Sequence, residues 1–416
     1  MSCHGLPVAA CLSNTFADTS DLRRSFVLFA LSACKIINAL HYQAKIRAAL
    51  IGLSSSGSSS WASAAHLPAL LTEIGRSQIT LTALANSSVQ AAESAIKKYG
   101  LPDHTKAYGS PEDLAADPDI DLVICNTRVD KHYETILPSI KAGTDVYVEW
   151  PIASNREQID EIVEAARKSG SRVAVGLQRR WTPPAAKLRD MLDSGNGRLG
   201  KVLSSDVRAF GGTNDRETMP TGLKYFSQKD IGGNAIVIGV GHGRLDAQSV
   251  YSKSQIQRPN IRIQDPQTKQ TVEEVTTDVP DFLAVHGTIA QSPLTAPNAT
   301  LSFLFRRGQP FPGRPALTWT INCEYGEILI TSATRMTFQM SEGDEPVVIQ
   351  VHYFDTHEVE NLDWDWSDMQ KEVPVIGRDV MTSLFAFAEG KAEGGGWVGL
   401  EDAARYARMV DGFLEE

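Results

Sequence analysis

The chain has 416 residues, is 42% hydrophobic and 22% charged, and carries a formal net charge of -10. That is enough apolar material for two domain cores, while the acidic balance and lack of a Lys/Arg run argue against a nucleic-acid surface. Five cysteines (Cys3, Cys11, Cys34, Cys125, Cys323) show no paired spacing, so no disulfide framework and no metal site are expected, and a reducing, cytoplasmic setting is.

The first segment to read is an apolar run from Phe26 to Ala33 behind Arg23-Arg24. It is short for a membrane span and lies too far along the chain for a secretory signal, so residues 1–43 are expected to be a disordered extension. From Lys45 the pattern becomes regular. Ile46–Gly52 reads as a buried strand, Leu53–Ala65 is dominated by Ser and Gly, and His66-Leu67-Pro68-Ala69-Leu70 opens a helix. Gly52-Leu53-Ser54-Ser55-Ser56-Gly57 is a G-x-S-x-x-G variant of the dinucleotide fingerprint, in which serine replaces the glycine that lets backbone approach the pyrophosphate. Read alone, it is equally a flexible serine loop.

A second strand follows at Gln78–Leu84, a helix at Ser87–Tyr99 stopped by Gly100, and a short helix begun by Ser110-Pro111. Asp121–Cys125 is a strand, Val129–Ala142 a helix closed by Gly143, and Val146–Glu149 a strand running into Glu149-Trp150-Pro151. Ser154 and Glu157 are spaced as a capping box for the helix Asn155–Lys168, and Arg172–Leu177 returns as the last strand of the sheet. This alternation predicts a doubly wound parallel sheet with right-handed crossovers. An acidic residue usually ends the second strand and holds the ribose hydroxyls. Here Ala85-Asn86-Ser87-Ser88 is neutral, which makes NADP at least as plausible as NAD; alternatively Asn86 and Ser87 only cap the helix.

After Gln178–Pro183 come a helix to Ser194 and a Gly-rich joint, Gly195–Gly200. Strands are then expected at Val202–Phe210, Leu283–Ala290, Ala299–Phe305, Leu317–Cys323, Glu327–Thr331, Arg335–Met340 and Val347–Tyr353, with helices at Ile236–Tyr251, Asp379–Glu389 and Glu401–Leu414. Consecutive strands with short turns mean a mainly antiparallel sheet. The expected architecture is α/β: a Rossmann domain over 44–178 and an α+β domain with a large open sheet over 179–416.

His66–Leu70, Asn126-Thr127, His132, Ala142-Gly143, Glu149-Trp150-Pro151, Arg180-Trp181 and Leu199-Gly200-Lys201-Val202 follow one another in an order that resembles the Gfo/Idh/MocA oxidoreductases. Gly52-Leu53 with Trp61, Gly241-His242 with Asp246, Lys224-Tyr225, Asp230-Ile231-Gly232, Val279-Pro280-Asp281 and Tyr325-Gly326 look like the branch of the fungal galactose-regulon repressors and their enzyme-like relatives. The resemblance implies NAD or NADP held by Gly52, Ser54, Ser55, Gly57, Trp61, Asn86, Ser87, Asn126, Thr127, Arg128, His132, Glu149, Trp150, Pro151 and Arg180. It also implies a cis bond before Pro151, a small-molecule substrate, and a homodimer or homotetramer. Trp150 either stacks on the nicotinamide or merely packs, Arg128 either pairs with an anion or faces water, and the acidic aromatic stretch Asn361–Trp366 is a lid, a partner surface or an exposed turn.

Two departures bear on mechanism. The family's Glu-Lys-Pro lysine is Trp150, and its Asp four residues before the second-domain His is Ile238. Neither handles protons at neutral pH, so His242 becomes the first candidate for the proton, with Tyr225 and Lys224 behind it. Two functions stay open: an NAD(P)-dependent oxidoreductase on a small hydroxylated or carbonyl substrate (a sugar derivative or secondary metabolite), and a cofactor-sensing regulator without turnover that binds a regulatory protein, in which case a nuclear location is possible.

Overall fold

The computed structural model describes residues 45–55, 60–194, 197–211, 215–232 and 247–415. The N-terminal extension, the candidates Gly57 and His242, and most of the helix expected from Ile236 lie outside the described residues.

Six short apolar runs form the first sheet: β1 (Ile46–Ile51), β2 (Ile79–Ala85), β3 (Lys106–Tyr108), β4 (Leu122–Cys125), β5 (Asp145–Glu149) and β6 (Val173–Gly176). They pair in parallel in the order 3-2-1-4-5-6, the doubly wound arrangement whose strand order reverses between β1 and β4. β4 and β6 are buried at every residue, as a sheet covered on both faces requires. The helix Arg156–Ser169 starts one residue later than the spacing predicts. Asn155 is its cap, accepting from the Gln158 amide, and Gln158 Oε1 accepts the Ser154 amide at 3.1 Å; the expected Ser154–Glu157 box is therefore replaced by a simple Asn155 cap, with Gln158 bonded to the residue before it.

The second sheet has eight strands, β7 (Val202–Phe210), β9 (Ala247–Gln255), β12 (Phe282–Ile289), β13 (Thr295–Arg306), β14 (Leu317–Cys323), β15 (Gly326–Ser332), β16 (Val348–Tyr353) and β17 (Val359–Asn361). Their order is β17-β16-β15-β14-β7-β13-β12-β9, antiparallel except for the central β7–β13 pair. A small sheet of β8 (Thr218–Pro220), β10 (Asn260–Gln264) and β11 (Thr271–Thr276) stands apart. Residues 247–251, expected to be helical, are extended in β9 and pair with β12. Arg335–Met340 is irregular rather than a strand; Arg335 is drawn to Asp344 at 2.7 Å and to the Ser332 hydroxyl.

Both C-terminal helices, which sequence order assigns to the second domain, pack on the parallel sheet. Met381, Leu384, Phe385 and Phe387 of the helix Arg378–Ala388 share a core with Leu50, Leu84, Ile124 and Tyr147. Ala403, Val410 and Phe413 of the helix Leu400–Glu415 join Ile159 and Val163, and the same core continues into Leu283, Val285 and Phe305 of the large sheet. Between them β18 (Val398–Gly399) adds an antiparallel edge to β6. Among the described residues no helix is long and apolar enough to cross a membrane.

Candidate functional site

Among the described residues, Gly52, Asn86, Asn126 and Glu149 stand where parallel strands end at their carboxyl edge. Gly52 leaves β1 with φ +89°, and a Cβ there would lie 2.9 Å from the backbone C and O of Asn126 after β4. Only glycine adopts that conformation at little cost and lets the two strand ends approach so closely. The Asn126 side-chain amide nitrogen and oxygen are both buried and have no hydrogen-bond partner among the described residues. Buried polar groups without partners are rare, and this one sits at the switch point, where open α/β sheets bind ligands. A dinucleotide fits here: bare backbone at Gly52 and an amide able both to donate and to accept.

The serine loop is braced from the neighbouring helix. Tyr99 donates its hydroxyl to the Ser54 carbonyl at 3.0 Å, and Lys98 donates to the Ser55 carbonyl at 2.9 Å. Asn86 Nδ2 donates to the Leu53 carbonyl at 3.0 Å, so Asn86 supports this loop. Ser87 is exposed, and the helix cap is Ser88, which accepts from the Ala91 amide; the capping role considered for Asn86 and Ser87 falls to their neighbour.

Glu149 ends β5 with its side chain 12% exposed, and its Oε1 is 2.6 Å from Nε2 of the fully buried His66. Gln178 Nε2 donates to Oε2 at 3.3 Å. Room for that oxygen exists because residue 176 is glycine: a Cβ there would stand 2.5 Å from it. Burial raises the Glu149 carboxyl pKa, but His66, the Trp61 indole and Gln178 outweigh it and hold the group below its ordinary value. Beneath lie Arg179, 7% exposed and 5.9 Å from the Trp61 ring, and Asp379 of the C-terminal helix, 4% exposed. Burial pushes the Asp379 carboxyl up to about 6 against the pull of Arg179.

Four other candidates take supporting places. His132 is buried, with Nδ1 2.8 Å from the Pro151 carbonyl and Nε2 3.0 Å from the Thr127 carbonyl; burial keeps the ring neutral, so its single N–H serves one of the two carbonyls and the ring fills the space between two loops rather than meeting a cofactor. The Trp150–Pro151 bond is cis. Trp150 is 6% exposed and tilts against Tyr406 at 6.0 Å, so it packs rather than stacking in an open crevice. Arg180 donates to Asp402 at 3.3 Å and covers the Tyr406 ring, which ties the first sheet to the last helix.

From the second domain, Tyr225 reaches the crevice rim, its ring 5.2 Å from the Arg128 guanidinium, which is itself held by both oxygens of Asp130. Burial pushes the Tyr225 phenol up to about 12. Lys224 is engaged elsewhere, bonded to both oxygens of the exposed Glu273 at 2.6 and 2.7 Å; as an ammonium paired with a carboxylate it is no proton acceptor.

His66 as the partner of Glu149, together with Gln178 and Asp379, escaped the sequence reading. His66 carried a legible signal, a polar residue opening an otherwise apolar helix; Asp379 carried none, since its relation to the site depends on how the C-terminal helix docks.

Residues 46–177 match the oxidoreductase family with an NAD-binding Rossmann fold, and residues 183–332 match the Gal80p C-terminal domain. The chain is 34% identical over 206 residues to the dehydrogenase aclE of Aspergillus oryzae, covering 49% of this chain and 54% of that protein. It is 25% identical over 282 residues to the galactose/lactose metabolism regulatory protein GAL80 of Saccharomyces cerevisiae, covering 64% and 62%. The chain thus spans between half and two thirds of these relatives' own length. The crystal structure of a super-repressor mutant of Gal80p from Saccharomyces cerevisiae superposes with a TM-score of 0.75 at 19% identity, over 89% of this chain and 95% of that one, a likeness of fold. An oxidoreductase-family Rossmann segment is thus followed directly by a Gal80p-like C-terminal segment, and the proteins this chain is similar to include both dehydrogenases and the Gal80 regulators.

Proposed function

We propose that the protein is an NAD(P)-dependent oxidoreductase acting on a small hydroxylated or carbonyl substrate, a sugar derivative or secondary metabolite. The observation that carries this is the crevice between β1 and β4, where Gly52 has no room for a Cβ and the Asn126 side-chain amide is buried without a partner among the described residues. Similarity to a dehydrogenase supports it. A bound nicotinamide would supply the hydride chemistry. The chain's own residues bind and orient: the Gly52 backbone admits the dinucleotide, Asn126 offers donor and acceptor, and Glu149 is locked by His66 and Gln178. Tyr225 stays protonated at neutral pH and so can donate a hydrogen bond to a substrate oxygen. His242 remains the proposed proton acceptor. Assembly into a homodimer or homotetramer in the cytoplasm belongs to the same proposal.

Two observations favour the regulatory reading. The residue in the catalytic lysine's place, Trp150, is packed into the core, and the second-domain match is to Gal80p. Tryptophan-fluorescence titration with NAD, NADP and their reduced forms tests the crevice, and a subsequent screen of polyols and aldehydes tests turnover. Binding with turnover that is lost in His242→Ala and reduced in Tyr225→Phe supports the enzyme. Firm binding with no turnover moves the regulator ahead, and no binding of any dinucleotide overturns the crevice reading.

A further inference from the structure

A cavity of about 360 Å³ opens where β7 and β13 end, lined by Phe210, Arg306, Phe311 and Arg314. Phe210 and Arg306 are register partners. Their neighbours Ala209 and Phe305 point into the core shared with the parallel sheet, so by strand alternation Phe210 and Arg306 stand on the opposite face. The cavity is therefore separate from the dinucleotide crevice.

Its electrostatics are unbalanced. Arg216 and Arg306 converge on one neutral acceptor, the Gln309 carbonyl, at 2.5 and 2.8 Å. The Arg216 stem reaches it by crossing Gly308, where φ is +91° and a Cβ would fall 2.1 Å from Arg216 Cγ. The carboxylates nearby are committed: Asp281 accepts the Gln257 amide at 2.5 Å and lies 3.7 Å from Arg258, while Asp215 accepts the amides of Glu217 and Thr218. Among the described residues no carboxylate comes within ion-pair distance of Arg216, Arg306 or Arg314. Burial, reinforced by Arg216 and Arg258, holds the Arg306 pKa below its ordinary value. Two cations converging on one neutral oxygen repel each other, and an anion would relieve the repulsion.

The walls are aromatic. The Arg306 guanidinium covers the Phe210 ring at 5.0 Å. A turn closed by the Arg314 amide on the Phe311 carbonyl at 2.9 Å sets Phe311, 71% exposed, beside Arg314. Arg306 spends one N–H on each of two carbonyls, leaving three of its five for a ligand.

We propose that this cavity binds a small organic anion with a flat apolar body, an aryl carboxylate, its carboxylate held by Arg306 and Arg314 and its ring lying between Phe210 and Phe311. Guanidinium forks match carboxylates in geometry, and the two rings supply a surface for a planar body. Isothermal titration calorimetry of the full chain with 2-naphthoate tests this, with 2-naphthylmethanol as the neutral counterpart and acetate as the anion without a ring. Saturable binding is expected for 2-naphthoate alone, weakened about tenfold in Arg314→Gln by loss of one charge-assisted pair and weakened also in Phe311→Ala. Both positions are exposed, and circular dichroism melting verifies that the variants fold. No heat of binding, equal binding of the alcohol, or unchanged affinity in both variants overturns the proposal.

Discussion

Asp379 provides a sharp test of the buried cluster beneath Glu149. It begins the helix Arg378–Ala388, is 4% exposed, and accepts the Val380 amide at 2.9 Å. Burial pushes its carboxyl from 3.8 up to about 6, with Arg179 opposing and Glu149 adding to the rise. Below the unfolded value both states hold the proton and the group contributes nothing to pH dependence. Between about pH 4 and pH 6 the unfolded chain ionises first while the native chain keeps the proton, so stability falls as pH rises and levels off above the folded value. A shift of about 2 units is worth about 3 kcal/mol at roughly 1.4 kcal/mol per unit. Asp379→Asn removes that slope. Urea unfolding of both proteins from about pH 4 to pH 7 should show the variant gaining about 3 kcal/mol relative to wild type across the window. The slopes of carboxylates common to both proteins cancel in the difference. Curves that stay parallel within about 0.5 kcal/mol would refute the assignment of Asp379 as a carboxyl kept neutral by burial.

The remaining expectations concern the crevice and its rim. Gly52→Ala places a Cβ 2.9 Å from the Asn126 backbone at φ +89°; a cost of about 1–2 kcal/mol from the left-handed conformation alone is expected, with dinucleotide binding lost. Thermal melting and fluorescence titration check both, and a variant matching wild type in each would dismiss the close-approach argument. His66→Ala strips Glu149 of its 2.6 Å partner and should cost about 3–5 kcal/mol, whereas adding Glu149→Gln should recover part of it; additive losses in that cycle would mean the two do not interact. Because the Glu149 carboxyl is depressed, its contribution is present above the unfolded carboxylate value and lost as pH falls through the folded one, and in His66→Ala this acid-side loss should shrink. Lys224→Ala should change stability by less than about 1 kcal/mol, as for an exposed ion pair, and leave dinucleotide affinity and any turnover unaltered; a collapse of turnover would restore Lys224 to the chemistry.

Legibility along the chain followed how local the cause was. By itself the sequence determined the parallel sheet, since buried runs such as Val146–Glu149 and Asp121–Cys125 alternate with amphipathic helices closed by Gly100 and Gly143, and all of these signals lie within a few residues of the element they define. It determined the strand ends as well, and so placed Gly52, Asn126 and Glu149 at one edge. The first half of β9, residues 247–251, was read as helix because it lies on the open sheet, where its polar alternation is confirmed only by pairing with β12. Tertiary structure alone decided what each candidate does there. Whether Trp150 meets a ligand or a core depends on Tyr406, some two hundred and fifty residues away in sequence. Lys224 is diverted by Glu273, His66 meets Glu149 across the carboxyl edge of the first sheet, and Asp379 becomes a neighbour of the site only because a C-terminal helix returns to cover that sheet. Side-chain roles are set by partners distant in sequence, and no local pattern encodes which distant partner arrives.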